Sequence, residues 1–118
     1  MSVPDTLVDQ SSLTRRQLES LRSYLRVSSG EMKLREAASL SSKGPVTVGS
    51  YYRTVGQARK NIRESLVTVL IGLWLGVANA DDVRRLFELV GAGAREFSAD
   101  EQDRFLAVLE ALLDRILL

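Results

Sequence analysis

Arg53 and Gln57 stand four residues apart in the stretch Thr47 to Gly76, TVGSYYRTVGQARKNIRESLVTVLIGLWLG. Four residues is about one turn of an α-helix, so the two side chains share a face. A guanidinium and a carboxamide can each make paired hydrogen bonds to a flat polar edge. Thr47 opens this stretch, and Ser50 and Thr54 add hydroxyls beside the pair. Lys43, Arg59, Lys60 and Arg63 surround it with positive charge. Such a set suits recognition of an anionic, edge-presenting partner better than bond breaking.

The rest of the composition points the same way. Among 118 residues there is no His and no Cys. That removes imidazole and thiolate as general base, nucleophile or metal ligand. The acidic group Asp100, Glu101 and Asp103 opens a helix, where negative charge is favourable without any metal. Gly91-Ala92-Gly93 lacks the preceding strand and following Lys-Ser/Thr of a phosphate loop. No catalytic residue, cofactor or metal is expected, and the chain is not read as an enzyme.

Formal net charge is only +1, but its distribution is uneven. Residues 31–65 carry seven basic and three acidic side chains, whereas residues 66–118 carry five basic and nine acidic. A basic segment ahead of an acidic one suggests that the first faces a polyanion. The N-terminus, MSVPDTLVDQ, has neither the basic start nor the apolar run of a secretory signal. Leu66 to Ala78 is apolar for 13 residues, short of the roughly 20 needed to span a bilayer. A cytoplasmic protein with no membrane partner is expected.

Helical periodicity then sets the elements. Residues 1–12 show no period and read as a flexible arm or a loosely docked tail, leaving one all-α domain over 13–118. Thr14 with Gln17, Ser28 with Glu31, and Ser98 with Glu101 have capping-box spacing and predict three helix starts. Leu18, Leu21 and Leu25 form the first apolar stripe, with Tyr24 at its edge. A second helix starts near Ser29 and presents Leu34, Ala37, Ala38 and Ser41 before Gly44 and Pro45 break it. Thr47 caps a long central helix with one register from Val48 to Leu73. One helix is favoured over two meeting near Lys60 and Asn61. Gly49 and Gly56 within it mark close approach of a backbone or a kink. Of the adjacent Tyr51 and Tyr52, one must face inward and the other outward. Asn79 caps the next helix, striped by Val83, Leu86, Phe87 and Val90. The last helix carries Phe105, Val108, Leu109, Leu112 and Ile116. About five helices result, with no convincing strand.

The second helix, its glycine turn and the front of the central helix have the pattern of a helix-turn-helix unit over residues 31–63. In that arrangement Val48, Tyr51 (or Tyr52), Val55 and Ala58 hold the central helix onto its neighbour. Ser50, Arg53, Thr54 and Gln57 then face outward. Arg53 and Gln57 suit guanine and adenine edges, while Lys43, Arg59, Lys60 and Arg63 suit phosphates. Through REAASL, the glycine turn and TVGSYYRTVGQARKNI, the chain resembles the helix-turn-helix transcription regulators of bacteria and archaea. The resemblance covers Glu31 to Arg63 and implies double-stranded DNA as partner. The turn from Ser42 to Val46 is longer than in the tightest form of that motif. The apolar run stands where a winged variant would place its β-hairpin, so no wing is expected.

Residues 64–118 read as core and dimerisation region. Val67, Leu70, Ile71, Trp74 and Leu75 make the back of the central helix apolar nearly all round, as in helices buried on every side. Trp74 therefore reads as core. Five helices offer little to surround such a segment, so a homodimer is expected through Leu70, Trp74, Phe105, Leu109, Leu112 and Ile116. Two-fold symmetry would also present two reading helices to two half-sites. Two competing readings remain: an all-α protein-interaction module using the apolar C-terminal helices, and a ligand or enzyme pocket beside Trp74.

Overall fold

A computed structural model describes residues 3–41, 44–92 and 98–118. Among these residues the chain is all-helical, with six helices: α1 (Asp5–Gln10), α2 (Arg15–Ser28), α3 (Leu34–Ser39), α4 (Val48–Leu75), α5 (Ala80–Ala92) and α6 (Ala99–Arg115). The described residues contain no strand, only an isolated antiparallel bridge between Ala78 and Leu117. The chain divides into two compact units, Val3–Ser65 and Leu66–Leu118, with the boundary inside α4. The first has eleven basic and six acidic residues, and the second five and nine, so the charge division follows the structural one.

In the first unit, residues expected to form a flexible arm contain α1. Its short helix is held by chemistry outside itself. Arg15 reaches Asp5 at 3.0 Å and Asp9 at 2.9 Å, and Val8 is buried. The hydrogen bond and charge of Asp5, followed by the charge of Asp9, raise the Arg15 pKa. The segment after α1 is tied to α4. Asn61 Nδ2 donates to the Ser12 carbonyl at 2.7 Å, and Ser12 Oγ donates to Asn61 Oδ1 at 2.8 Å.

The Thr14–Gln17 capping box opens α2 as expected, with both reciprocal hydrogen bonds formed. The Ser28–Glu31 box does not form. Gly30 instead takes φ +82°, the Gly30 amide bonds to the Val27 carbonyl at 3.1 Å, and the Glu31 amide to the Arg26 carbonyl at 2.9 Å. That pair of bonds is the Schellman ending of a helix, which needs a left-handed residue where glycine is cheapest. Hence α2 continues through Ser28, and α3 starts later and is shorter than expected, at Leu34–Ser39. The inward face of α2 is also rotated. Tyr24 and Val27 pack on the core, whereas Leu25 is exposed.

Thr47 Oγ1 accepts from the Ser50 amide at 3.0 Å and starts α4. The helix is continuous for 28 residues and ends at Gly76 with a second Schellman pair, Gly76 to Leu73 and Val77 to Gly72. The core of the first unit comprises Met32, Ala37, Ala38, Tyr51 and Val55, flanked by Tyr24, Val27, Leu34, Val46 and Val48. Ala37 and Ala38 bring α3 onto this core, where it lies close to α2. Burying a side chain such as Val55 contributes about 1.5–3 kcal/mol.

In the second unit, α5 packs on α6 around Val83, Leu109 and Leu112. Asn79 Oδ1 caps α5 by accepting from the Asp82 amide at 3.0 Å, and Ser98 Oγ accepts from the Glu101 amide at 3.3 Å. Asp82 is buried and satisfied by Arg115, whose Nη2 donates to Oδ1 at 2.9 Å. The C-terminal residues clasp the start of this unit. The Asn79 amide donates to the Ile116 carbonyl at 2.8 Å, and the Leu118 amide to the Val77 carbonyl at 3.0 Å.

Candidate nucleic-acid interface

The front of α4 is fixed by its inward side. Tyr51, Val55 and Ala58 are buried, and Val48 is partly buried, as the register predicts. The Tyr51 hydroxyl donates to the Ser20 carbonyl at 3.1 Å and meets Ser23 Oγ at 2.5 Å. These contacts to α2 fix the rotation of α4 about its axis. Tyr52 faces the other way, half exposed, and packs edge-on to Tyr24 with ring centroids 6.2 Å apart.

With that side anchored, a step of about 100° per residue decides what points away. Arg53, Gln57 and Lys60 are exposed, with Arg59 and Arg63 exposed along one flank. Lys60 has Glu64 at 3.8 Å, an exposed pair that contributes little. Arg53, Arg59 and Arg63 make no ion pair among the described residues. They can therefore meet an anion without first breaking a bridge. Thr47 is exposed, but its hydroxyl oxygen is occupied in the helix cap, and Ser50 is half-buried. Lys43 lies outside the described residues.

Thr54 requires a correction. It was expected to face outward with Arg53 and Gln57, but it is buried at 8% exposure. Its hydroxyl donates to the Ser50 carbonyl at 3.2 Å, one turn back. A single residue past Arg53 carries the chain round to the packed side, and the Thr hydroxyl can be buried there because the helix backbone accepts its proton.

Gly49 and Gly56 were missed as part of this surface. They lie on the outward side with Arg53 and Lys60, two helical turns apart, and a Cβ built on either would meet nothing within 4 Å. No close approach among the described residues explains them. The outer side of α4 is thereby left without side-chain bulk between its two cations. The signal was the seven-residue spacing of the glycines, which places them on one face. Arg35, exposed on α3, is a further cation with no ion pair among the described residues.

The expected dimer residues separate into two groups. Leu109 and Leu112 are 2% and 7% exposed and belong to the core of their own unit, because α5 covers their side of α6. Phe105 and Ile116 are half-buried. Leu70 and Trp74 are 61% and 91% exposed. Trp74 is therefore not part of the core of a single chain. Trp74 has an isolated apolar face around it: the hollow beside it, about 200 Å³, is lined by Leu70, Ile71, Trp74 and Leu75, with no polar side chain.

Among the described residues no group of three or more acidic, His or Cys side chains is placed to hold a metal ion. None of the described helices is long and apolar enough to cross a membrane. No protein-family model matches the chain, and neither a curated protein nor a solved structure is significantly similar to it.

Proposed function

We propose that this chain is a sequence-specific double-stranded DNA-binding protein of the helix-turn-helix type, a transcription regulator that acts as a homodimer. One observation carries the reading. The front of α4 is locked on its inner side by Tyr51, Val55 and Ala58, and exposes Arg53, Gln57, Arg59, Lys60 and Arg63. A braced helix with exposed cations and a bidentate pair on its free side suits a major groove. Arg53 and Gln57 contact base edges; Arg59, Lys60 and Arg63, with Lys43 from the preceding turn, contact phosphates. The bare outer positions Gly49 and Gly56 let the helix sit deep between the groove walls.

Titration of fluorescently labelled duplex DNA at two salt concentrations tests the reading. Binding that weakens steeply with added salt, with preference among unrelated duplexes, is expected. Affinity that is weak and nearly insensitive to salt would reject it.

A second reading has its own support. The exposed apolar run Leu66–Leu75 suits capture of another protein, as an interaction module would use it. That reading expects no DNA affinity at any salt concentration.

A further inference from the structure

Leu66, Val67, Leu70, Ile71, Trp74 and Leu75 occupy successive turns of α4, at spacings of one, three and four residues. All six are exposed, from 40% at Val67 to 91% at Trp74. Together they leave on the order of 500 Å² of apolar surface in water, since a fully exposed tryptophan offers about 150–250 Å² and an aliphatic side chain somewhat less. A stable protein interface buries about 800 Å² on each partner, so this one face supplies most of what a dimer needs. Residues 65–80 contain no ionisable side chain, so identical copies can approach without charge repulsion. A lipid surface would favour cations around an apolar helix face, whereas the unit that carries this face has nine acidic against five basic residues.

We infer that a second copy of this chain covers this face, and that the two α4 helices pair antiparallel about Leu70. The inference rests on the homodimer in the reading above and specifies its seam. The midpoint of the exposed run falls between Leu70 and Ile71. A two-fold axis there sets Leu70 against Leu70 of the other copy and Trp74 against the Leu66–Val67 turn. Charge decides the direction. Arg59, Lys60 and Arg63 precede the apolar run, and an acidic unit follows it. Antiparallel order brings the basic end of each run towards the acidic end of the other, whereas parallel order sets like against like. Trp74 is the anchor, since a large aromatic that passes from water into a packed seam contributes most to such interfaces. The α6 residues Leu109 and Leu112 take no part, because their own unit already buries them.

The chain has one tryptophan and no cysteine, so both probes are clean. Sedimentation of the full chain without DNA should give twice the 13.1 kDa chain mass, with Trp74 emission blue-shifted and moving red on dilution. Leu70→Glu should sediment at the single-chain mass with red-shifted emission and unchanged helical circular dichroism. For direction, Leu70→Cys should oxidise to a covalent dimer. Leu66→Cys should cross-link to Trp74→Cys in a mixture, but not to itself. A single-chain mass with water-like Trp74 emission at every concentration overturns the inference, as does emission that shifts only on adding lipid vesicles. A dimer in which Leu66→Cys cross-links to itself and not to Trp74→Cys overturns the antiparallel seam. None of these readouts involves DNA, so a dimer that ignores duplex DNA would reject the DNA reading while leaving this inference standing.

Discussion

Arg53 and Thr54 are neighbours in the chain with opposite environments, one exposed and one buried against the backbone of its own helix. Only the first can meet a base. Arg53→Ala should weaken binding to a specific duplex by about 1–3 kcal/mol, or roughly 5- to 150-fold, and relax preference at the contacted base pair. Parallel titrations against specific and scrambled duplexes measure both effects. Tyr51 acts from the inside. Tyr51→Phe removes the hydroxyl that donates to the Ser20 carbonyl and should destabilise the fold by about 0.5–1.5 kcal/mol in a denaturant melt. The packing of Tyr51 and the exposure of Arg53 were legible from the stripe Val48, Tyr51, Val55, Ala58. Thr54 was not, because it lies at the margin of that stripe, where the burial of a neighbouring residue decides and periodicity does not.

Among the elements, local signals were legible where a single reading was available. Thr14 with Gln17, Thr47, Asn79 and Ser98 all cap helices. Ser28 with Glu31 failed because the same four residues also encode a helix end. Gly30 in a left-handed conformation closes α2 with two backbone bonds, and that ending displaced the box. Gly56 carries the opposite lesson, since it sits in open space within a helix that would gain from any other side chain. Gly56→Ala should stabilise the chain by about 0.5–1 kcal/mol in a thermal or denaturant melt. If the outer side of α4 enters a groove, the same change should reduce DNA affinity, because the added methyl stands between Arg53 and Lys60. Higher stability with unchanged affinity would remove Gly56 from the contact surface.

For the whole molecule, the uneven charge seen along the chain became a difference between two compact units. Four cations assigned to phosphates in each copy, eight in the dimer, imply that log affinity falls with log salt at a slope of about −7, or roughly four orders of magnitude between 50 and 200 mM. Replacing Arg63 by Ala removes one contact from each copy and should reduce the steepness of the slope by about two, which a salt series on both proteins measures. The apolar back of α4 was legible as excess hydrophobic surface. The residues that cover it were not, because periodicity shows which side chains share a face but says nothing of what lies opposite. Leu109 and Leu112 found their cover within the chain, and Leu70 and Trp74 did not.

The clasp between residues 116–118 and the segment leading into α5 has a consequence for how these residues move. Amides outside regular helices usually trade their protons with water among the fastest in a protein. Here the Leu118 amide is bound to Val77 and the Asn79 amide to Ile116. Both should be among the slowly exchanging amides of residues 66–118 and lose protection together when Asp82→Ala frees Arg115. Amide-resolved deuterium exchange would show it, and a Leu118 amide that exchanges at the free-peptide rate would mean the clasp is open in solution.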